Sequence, residues 1–231
     1  MYTAVIVEPR QHAALGFVLT NFMSNLSEDW NFLIFHGTHN LDHIQKILQG
    51  DIFFAPFLSR ISLVSLPFKN LSIHQYNRLL TSTSFYNAIP TETILIFQTD
   101  TMIFPKHRDL IDDFLKYDYV GAPWKDGSVG NGGLSLRKKS KMLEILATCP
   151  YDGFQNEDCY FSNNKKVSLY KPSGEEAKRF SIESVFNDVA FGTHSGWRWF
   201  PDFFFDTYPE AKAISELQFS HSSYTLEDLH P

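Results

Sequence analysis

Short apolar runs alternate along the chain with segments whose apolar positions recur every three or four residues. Ala4-Val5-Ile6-Val7, Trp30 to His36, Ile61 to Leu66 and Thr93 to Phe97 are the runs. All four read as strands, Ala4–Val7 as a buried one and Thr93–Phe97 as one buried on both faces. Leu15, Val18, Leu19, Phe22 and Leu26 fall at helical spacing, as do Leu41, Ile44 and Leu48. Ile73, Tyr76, Leu79 and Leu80 make a third such face, and Leu110, Ile111, Phe114 and Leu115 a fourth. The punctuation agrees: Pro9 suits the first turn of the first helix, Asn40 the N-cap of the second, Gly50 its stop, and Ser72 the opening of the third. Strands and helices in this alternation, joined by short turns, predict an α/β fold with a mostly parallel central sheet and helices on both faces.

After Tyr117 the texture changes. Tyr119 to Trp124 reads as a strand ending in a turn, Gly127 to Gly133 is glycine-rich, and Leu134 to Arg137 is a short strand. A helix with Met142, Ile145 and Leu146 inward follows. Asn156-Glu157-Asp158 and Phe191-Gly192-Thr193-His194 stand on loops, ahead of an aromatic-rich tail from Trp197 to Tyr208. Ser173 with Glu176 three residues on forms a capping box for a helix through Ala177 and Phe180. No repeat, low-complexity tract or linker divides the chain. It reads as one domain, 1–231, with a nucleotide-binding type of half (1–117) and a second half (118–231).

Composition narrows the class. Of 231 residues, 43% are hydrophobic and 22 are Phe, which excludes disorder. A net charge of −6 without an Arg/Lys stripe argues against nucleic acid as partner. No apolar stretch is long enough to span a bilayer, and Met1-Tyr2-Thr3 leads into a strand rather than a secretion signal. Two cysteines, Cys149 and Cys159, set a reducing, cytoplasmic compartment as the expectation.

The candidate chemistry lies where apolar runs end. The Thr93–Phe97 run stops at Gln98-Thr99-Asp100, at the carboxyl end of a parallel strand, where open α/β sheets bind ligands. A carboxylate there needs a partner: Asp100 either holds a divalent cation against a diphosphate or caps the following turn. Gly130-Asn131-Gly132-Gly133 admits close approach of a ligand or makes a tight turn; it matches neither the phosphate loop nor the dinucleotide fingerprint. Glu157-Asp158 can hydrogen-bond a substrate hydroxyl and hold a helix start, or be the acidic first turn of a surface helix. His194 can reach a metal such as Mn²⁺ or be solvated. Trp197 and Trp199 can stack on a sugar or belong to the core, the core reading being preferred for Trp199.

Taken in order, Gln98-Thr99-Asp100, Tyr117 to Trp124, Gly130 to Arg137, Glu157-Asp158 and Gly192-Thr193-His194 resemble GT-A-type glycosyltransferases. In particular they resemble a small family of glycosyltransferase-like domains of bacteria, fungi and large DNA viruses. The resemblance runs from Val5 to the histidine loop, and its specific parts are Tyr-Asp-Tyr-Val-Gly-Ala-Pro-Trp and Gly-Asn-Gly-Gly-Leu-Ser-Leu-Arg. It implies a single-domain, Rossmann-like α/β/α sandwich. It also implies metal-dependent transfer of a sugar from a nucleotide-diphosphate sugar, UDP-linked by family habit, to a glycan or other hydroxyl acceptor.

Carried over residue by residue, the resemblance gives the metal, Mn²⁺ or Mg²⁺, to Asp100 and His194. Gln98 stands where GT-A enzymes have the first Asp of Asp-x-Asp, so one motif carboxylate remains, with Gln98 and Thr99 beside the ribose or phosphate. Asp158 falls on the general base of inverting enzymes, and Glu157 on a group placing the acceptor or a main-chain turn. Val7, Glu8, Arg10 and Asn77 would hold the nucleoside; Trp124, Asn131, Gly132, Gly133 and Trp197 would line the sugars. A retaining mechanism and a non-catalytic nucleotide-sugar or glycan-binding module remain the alternatives. A nucleotidyltransferase would carry a basic, glycine-rich signature after the first strand, and Glu8-Pro9-Arg10-Gln11-His12 is not one.

Overall fold

A computed structural model describes residues 1–220. The first part of the chain forms β1 (Tyr2–Glu8), α1 (Leu15–Asn25), β2 (Trp30–His36), α2 (Leu41–Gly50), β3 (Ile61–Ser65), α3 (Ile73–Leu80), α4 (Thr83–Asn87) and β4 (Thr93–Phe97). There follow β5 (Thr101–Ile103), α5 (Ile111–Phe114), β6 (Tyr119–Val120), β7 (Ser135–Lys138) and α6 (Lys139–Thr148). The last third holds α7 (Glu157–Ser162), α8 (Gly174–Ala177), β8 (Ser181–Ile182), β9 (Gly192–His194), α9 (Gly196–Trp199), α10 (Phe204–Thr207) and α11 (Ala211–Ser220).

The main sheet has the order β3-β2-β1-β4-β7-β6. Its first four strands are parallel, and β7 runs antiparallel to both β4 and β6. This is the α/β class with a mostly parallel sheet that the hydrophobic pattern predicts, and strands from both sides of residue 117 contribute to it. Alternation along each central strand feeds two cores. Ala4, Ile6, Leu95 and Phe97 point to one face, with Phe22 stacked 4.0 Å from Phe97; Val5, Val7, Ile94 and Ile96 point to the other.

From β1 the chain moves outward to β2 and β3, then returns to place β4 on the other side of β1. The strand order reverses between β1 and β4, and such a switch point opens a crevice beyond the carboxyl ends of the strands. Glu8 closes β1 there, and Gln98-Thr99-Asp100 leaves β4 there. A second sheet, β5-β9-β8, grows out of that turn. Thr101 pairs with His194 and Ile103 with Gly192. This small sheet therefore delivers the late histidine to the end of β4.

Local structure departs from the sequence reading at several points. Because α1 begins only at Leu15, Pro9 lies in the connection before it, where its carbonyl would be 2.6 Å from a Cβ on Gly37. Asn40 precedes α2 but does not cap it. Instead its amide donates to the carbonyls of Glu8 (2.7 Å) and Arg10 (2.9 Å), and its oxygen accepts from Gly37 N–H (2.8 Å). Ser72 does open α3, in a reciprocal capping box with Gln75. Ile73, expected on the buried face, is 78% exposed. Ser173 caps α8 through Glu176 N–H, but the Glu176 carboxylate turns away to accept from Tyr117 Oη at 2.7 Å.

The buried Asn40 side chain fixes the end of β1 against the loop after β2. Asn40→Ala leaves these backbone groups without partners and costs about 1–3 kcal/mol. Urea unfolding checks this as a lowered midpoint at unchanged slope.

Candidate functional site

A cleft of about 1010 Å³ opens at the carboxyl ends of β1 and β4. Ser72 to Asn77 form one wall; Asn131 to Gly133, Asn156 to Asp158, His194 and Arg198 form the others. Thirteen of the residues nominated from sequence border it: Val7, Glu8, Arg10, Asn77, Gln98, Thr99, Asp100, Asn131, Gly132, Gly133, Glu157, Asp158 and His194.

Asp100 is the hub of one bank of the cleft. Its Oδ2 accepts from Ser195 Oγ (2.6 Å), and its carbonyl accepts from Ser195 N–H (3.0 Å). Ser195 reaches both only by adopting a left-handed backbone, φ 53°, which a non-glycine residue holds at a cost. His194 Nε2 stands 3.5 Å from Asp100 Oδ1, and an Arg198 guanidinium nitrogen lies 3.9 Å from Oδ2. Burial works against charge on Asp100. His194, the Ser195 hydroxyl and Arg198 outweigh it and hold the carboxyl below its ordinary range.

On its other edge the His194 ring meets Asn131: Nδ1 is 3.0 Å from Asn131 Oδ1. Glu183, just past β8, accepts from Asn131 Nδ2 at 2.9 Å. Burial, more than any charge, raises the Glu183 carboxyl above its usual value, though His194 opposes the rise.

The glycines of this block serve side-chain packing. A Cβ on Gly133 would lie 2.4 Å from the His194 ring, and one on Gly132 would lie 2.5 Å from Glu157 Oε1 and 2.8 Å from Asp158 Cβ. Neither adopts a positive φ; what each provides is room for a neighbouring side chain.

Across the cleft Asp158 lies in the first turn of α7. Its Oδ2 accepts from Gly132 N–H (3.1 Å) and its Oδ1 from Cys159 N–H (2.7 Å). Glu157, nominated for chemistry beside it, is instead gripped at both oxygens by Arg137, at 2.6 and 2.9 Å. Arg137 is fully buried, with Ser135 Oγ at 3.0 Å and the Tyr119 ring 5.0 Å away. Burial alone would discourage the guanidinium charge; the Glu157 carboxylate more than reverses that and raises the arginine well above its usual value. Asn77 completes the arrangement from α3. Its Oδ1 accepts from Glu157 N–H (3.1 Å) and its amide donates to Asn156 Oδ1 (3.2 Å), so it braces the start of α7.

At the end of β1, Glu8 accepts three hydrogen bonds from Arg10: from Nε (2.8 Å), Nη2 (2.8 Å) and the backbone N–H (2.9 Å). Gln98 Nε2 donates to Tyr76 Oη at 3.0 Å. Burial foremost, then the charge of Glu157, push the Tyr76 phenol far above its ordinary range, so it keeps its proton.

The two tryptophans nominated for sugar contact do not border the cleft. Trp124 packs on Gly130, where a Cβ would come within 2.4 Å of its ring. Trp197 is 3% exposed and lies beside Phe204, whereas Trp199, assigned to the core, is 50% exposed beneath Lys125. On the short helix α9 it is Trp197 that turns inward, against Phe204 of α10. Sequence reasoning also passed over Tyr76, Glu183, Ser195 and Arg198. The nearest available signal was the Leu-Ser-Leu-Arg alternation, which sets Arg137 on the same strand face as Ser135.

Among the described residues, no group of three His, Cys, Asp or Glu side chains is arranged to hold a metal. Asp100 and His194 offer one carboxylate and one imidazole to an open cleft. Mg²⁺-type sites rest on one or two carboxylates plus substrate phosphates. The pair therefore fits a cation completed by a ligand's phosphates, and does not fit a closed protein cage. Among the described residues, no helix is long and apolar enough to cross a membrane.

No curated protein matches this chain. Among solved structures, the galactosyltransferase LgtC, in complex with donor and acceptor sugar analogs, is similar at a TM-score of 0.53 and 12% identity, over 97% of this chain and 98% of that one. TarS from S. aureus gives 0.49 and 10%, over 93% and 65%. The mannosyltransferase PcManGT from Pyrobaculum calidifontis, in complex with GDP-Man and Mn²⁺, gives 0.48 and 11%, over 69% and 49%. The likeness to LgtC shows a Rossmann-like GT-A fold. Residues 60–194 match the model of DUF5672, described as a protein of unknown function. That span runs from the start of β3 to His194, takes in Asp100, Asn131 and Asp158, and exceeds half the chain; the chain belongs to the DUF5672 family.

Proposed function

We propose that the chain is a metal-dependent glycosyltransferase that moves a sugar from a nucleotide-diphosphate sugar to a hydroxyl acceptor with inversion. The observation that carries this reading is the 3.5 Å approach of His194 to Asp100 in a cleft whose facing wall presents Asp158. The GT-A fold shared with LgtC, a galactosyltransferase bound to donor and acceptor sugar analogs, supports it.

Asp100 and His194 would hold Mn²⁺ or Mg²⁺. Bound there, the ion would neutralise charge on the departing diphosphate. The chain's own groups do the rest. Asp158, fixed by two backbone N–H donors that leave lone pairs on both oxygens, removes the proton from the acceptor hydroxyl. The acceptor oxygen bonds to the anomeric carbon as the bond from that carbon to the diphosphate oxygen breaks. Arg198, 57% exposed at its side chain and close to Asp100, adds positive charge on the leaving-group side. Val7, Glu8 and Arg10 border the nucleoside end, with the Glu8–Arg10 pair keeping the strand end rigid. UDP is the favoured nucleotide, and the two unpaired cysteines suit a cytoplasmic location.

Titration calorimetry with UDP and GDP, with and without Mn²⁺, tests the proposal. The wild type binds a nucleoside diphosphate more tightly with Mn²⁺, and saturating ligand raises its unfolding free energy by about 2.7 kcal/mol at a hundredfold excess over Kd. Asp100→Ala weakens Mn²⁺-dependent binding by more than about 10-fold. A wild-type protein that binds no nucleoside diphosphate in the presence of Mn²⁺ overturns the assignment.

A further inference from the structure

We infer that Asn131 and Glu183 are positioning residues that hold the His194 ring as its Nδ1–H tautomer, leaving the Nε2 lone pair on the side facing Asp100. The inference deepens the proposed function and rests on its reading that Asp100 and His194 share a cation.

Hydrogen-bond chemistry fixes the orientation of the Asn131 amide. Gly133 N–H, which can only donate, is 3.2 Å from Oδ1. The Glu183 carboxylate, which accepts, is 2.9 Å from Nδ2. A flipped amide would set two N–H groups against each other at one end and two oxygens at the other, so both neighbours select the same orientation. The atom 3.0 Å from His194 Nδ1 is then an acceptor, and Nδ1 must carry the hydrogen.

Whenever the ring is neutral, it consequently turns a lone pair, at Nε2, toward Asp100 Oδ1 across 3.5 Å. Two electron-rich atoms at that spacing repel unless a proton on Nε2 or a cation lies between them, and a neutral ring leaves that place to the cation. Metal-bound histidines are commonly prepared in this manner, the second ring nitrogen donating to a carboxylate, carbonyl or water. Here the donor's partner is an amide oxygen, itself aligned by Glu183. Gly133 lies flush against the ring, which limits its swing.

Two measurements separate this inference from the reading beneath it. The first uses metal-free protein with ¹⁵N-labelled histidine, at a pH where the ring is neutral, with His194 assigned by its loss in His194→Gln. Two-bond ¹H–¹⁵N correlations show the Nδ1–H pattern for the wild type. They move toward Nε2–H, the form free histidine prefers, in Asn131→Ala. An Nε2–H ring in the wild type overturns the inference and leaves sugar transfer untouched.

The second follows Mn²⁺ binding in the presence of UDP by the EPR signal of free Mn²⁺. Asn131→Ala weakens it about 10–100-fold. Asn131→Asp alone also weakens it, because two carboxylates then face each other. Adding Glu183→Gln to Asn131→Asp restores it to within a few fold: the new carboxylate accepts from His194 and Gly133, and the new amide donates to it. Equal Mn²⁺ affinity in wild type, Asn131→Ala and Asn131→Asp overturns the positioning role. A wild type with the Nδ1–H ring but no Mn²⁺ binding upholds it and removes the cation reading instead.

Discussion

Arg137→Ala lowers the unfolding free energy by about 3–5 kcal/mol, the usual consequence of deleting one partner of a buried ion pair. Arg137 is fully buried, and both oxygens of Glu157 point at it. Without the guanidinium, Glu157 loses its charged partner and either remains as an unpaired buried charge or takes up a proton. The cavity left between Tyr119 and Phe161, whose ring centroids lie 5.0 and 5.6 Å from the guanidinium, adds to the loss. Urea unfolding of the single variant and of Arg137→Met with Glu157→Met separates the contributions. The double apolar replacement recovers most of the stability, because such exchanges are often neutral or stabilising. A single variant as stable as the wild type would show that the pair contributes nothing net.

The largest effect on activity belongs to Asp158→Asn. If Asp158 removes the acceptor proton, the amide lowers transfer by about 10²–10⁴-fold. The change is nearly isosteric and the amide oxygen still accepts a backbone N–H, so Mn²⁺-dependent nucleotide affinity stays as in the wild type. Transfer at the wild-type rate would remove Asp158 from the chemistry. NMR of the product's anomeric centre decides the stereochemical question: inversion agrees with a base at Asp158, and retention replaces the single displacement with the retaining alternative.

The ends of the buried strands were the legible part of the site. β4 begins and ends where its apolar run begins and ends, because a strand buried on both faces leaves an unbroken local trace, and β2 keeps the Trp30-to-His36 bounds around its Phe32–Phe35 core. From them followed the parallel sheet and the placement of Asp100 at its ligand-binding edge. The partner of that edge was harder to see as a structural element. His194 lies on β9, a three-residue strand with no alternation to betray it, paired with an equally short β5 distant in sequence. Read locally, it is a loop.

Arg137 shows the same limit in another form. From sequence it is a charged residue closing a short strand, and only the fold brings Glu157 into the same buried space. Glu183 gives no local sign, since its meaning depends on an amide contributed from a different loop. Trp197 and Trp199 escape the pattern because they stand on opposite sides of a single helical turn, and the side that packs against Phe204 is the buried one. Charged and aromatic side chains whose partners are remote are therefore the ones the pattern could not place.

Two successive peptide units, at Gly132 and Gly133, join opposite banks of the cleft: the first donates to Asp158 and the second lies against His194. A shift of the main chain at this point would carry the Asp158 carboxylate and the imidazole together. Re-engineering either bank through this segment inherits a change in the other. If the cleft transfers sugar as proposed, a new acceptor preference is better sought at Ser72 to Gln75, which border the mouth and whose capping bonds close on themselves.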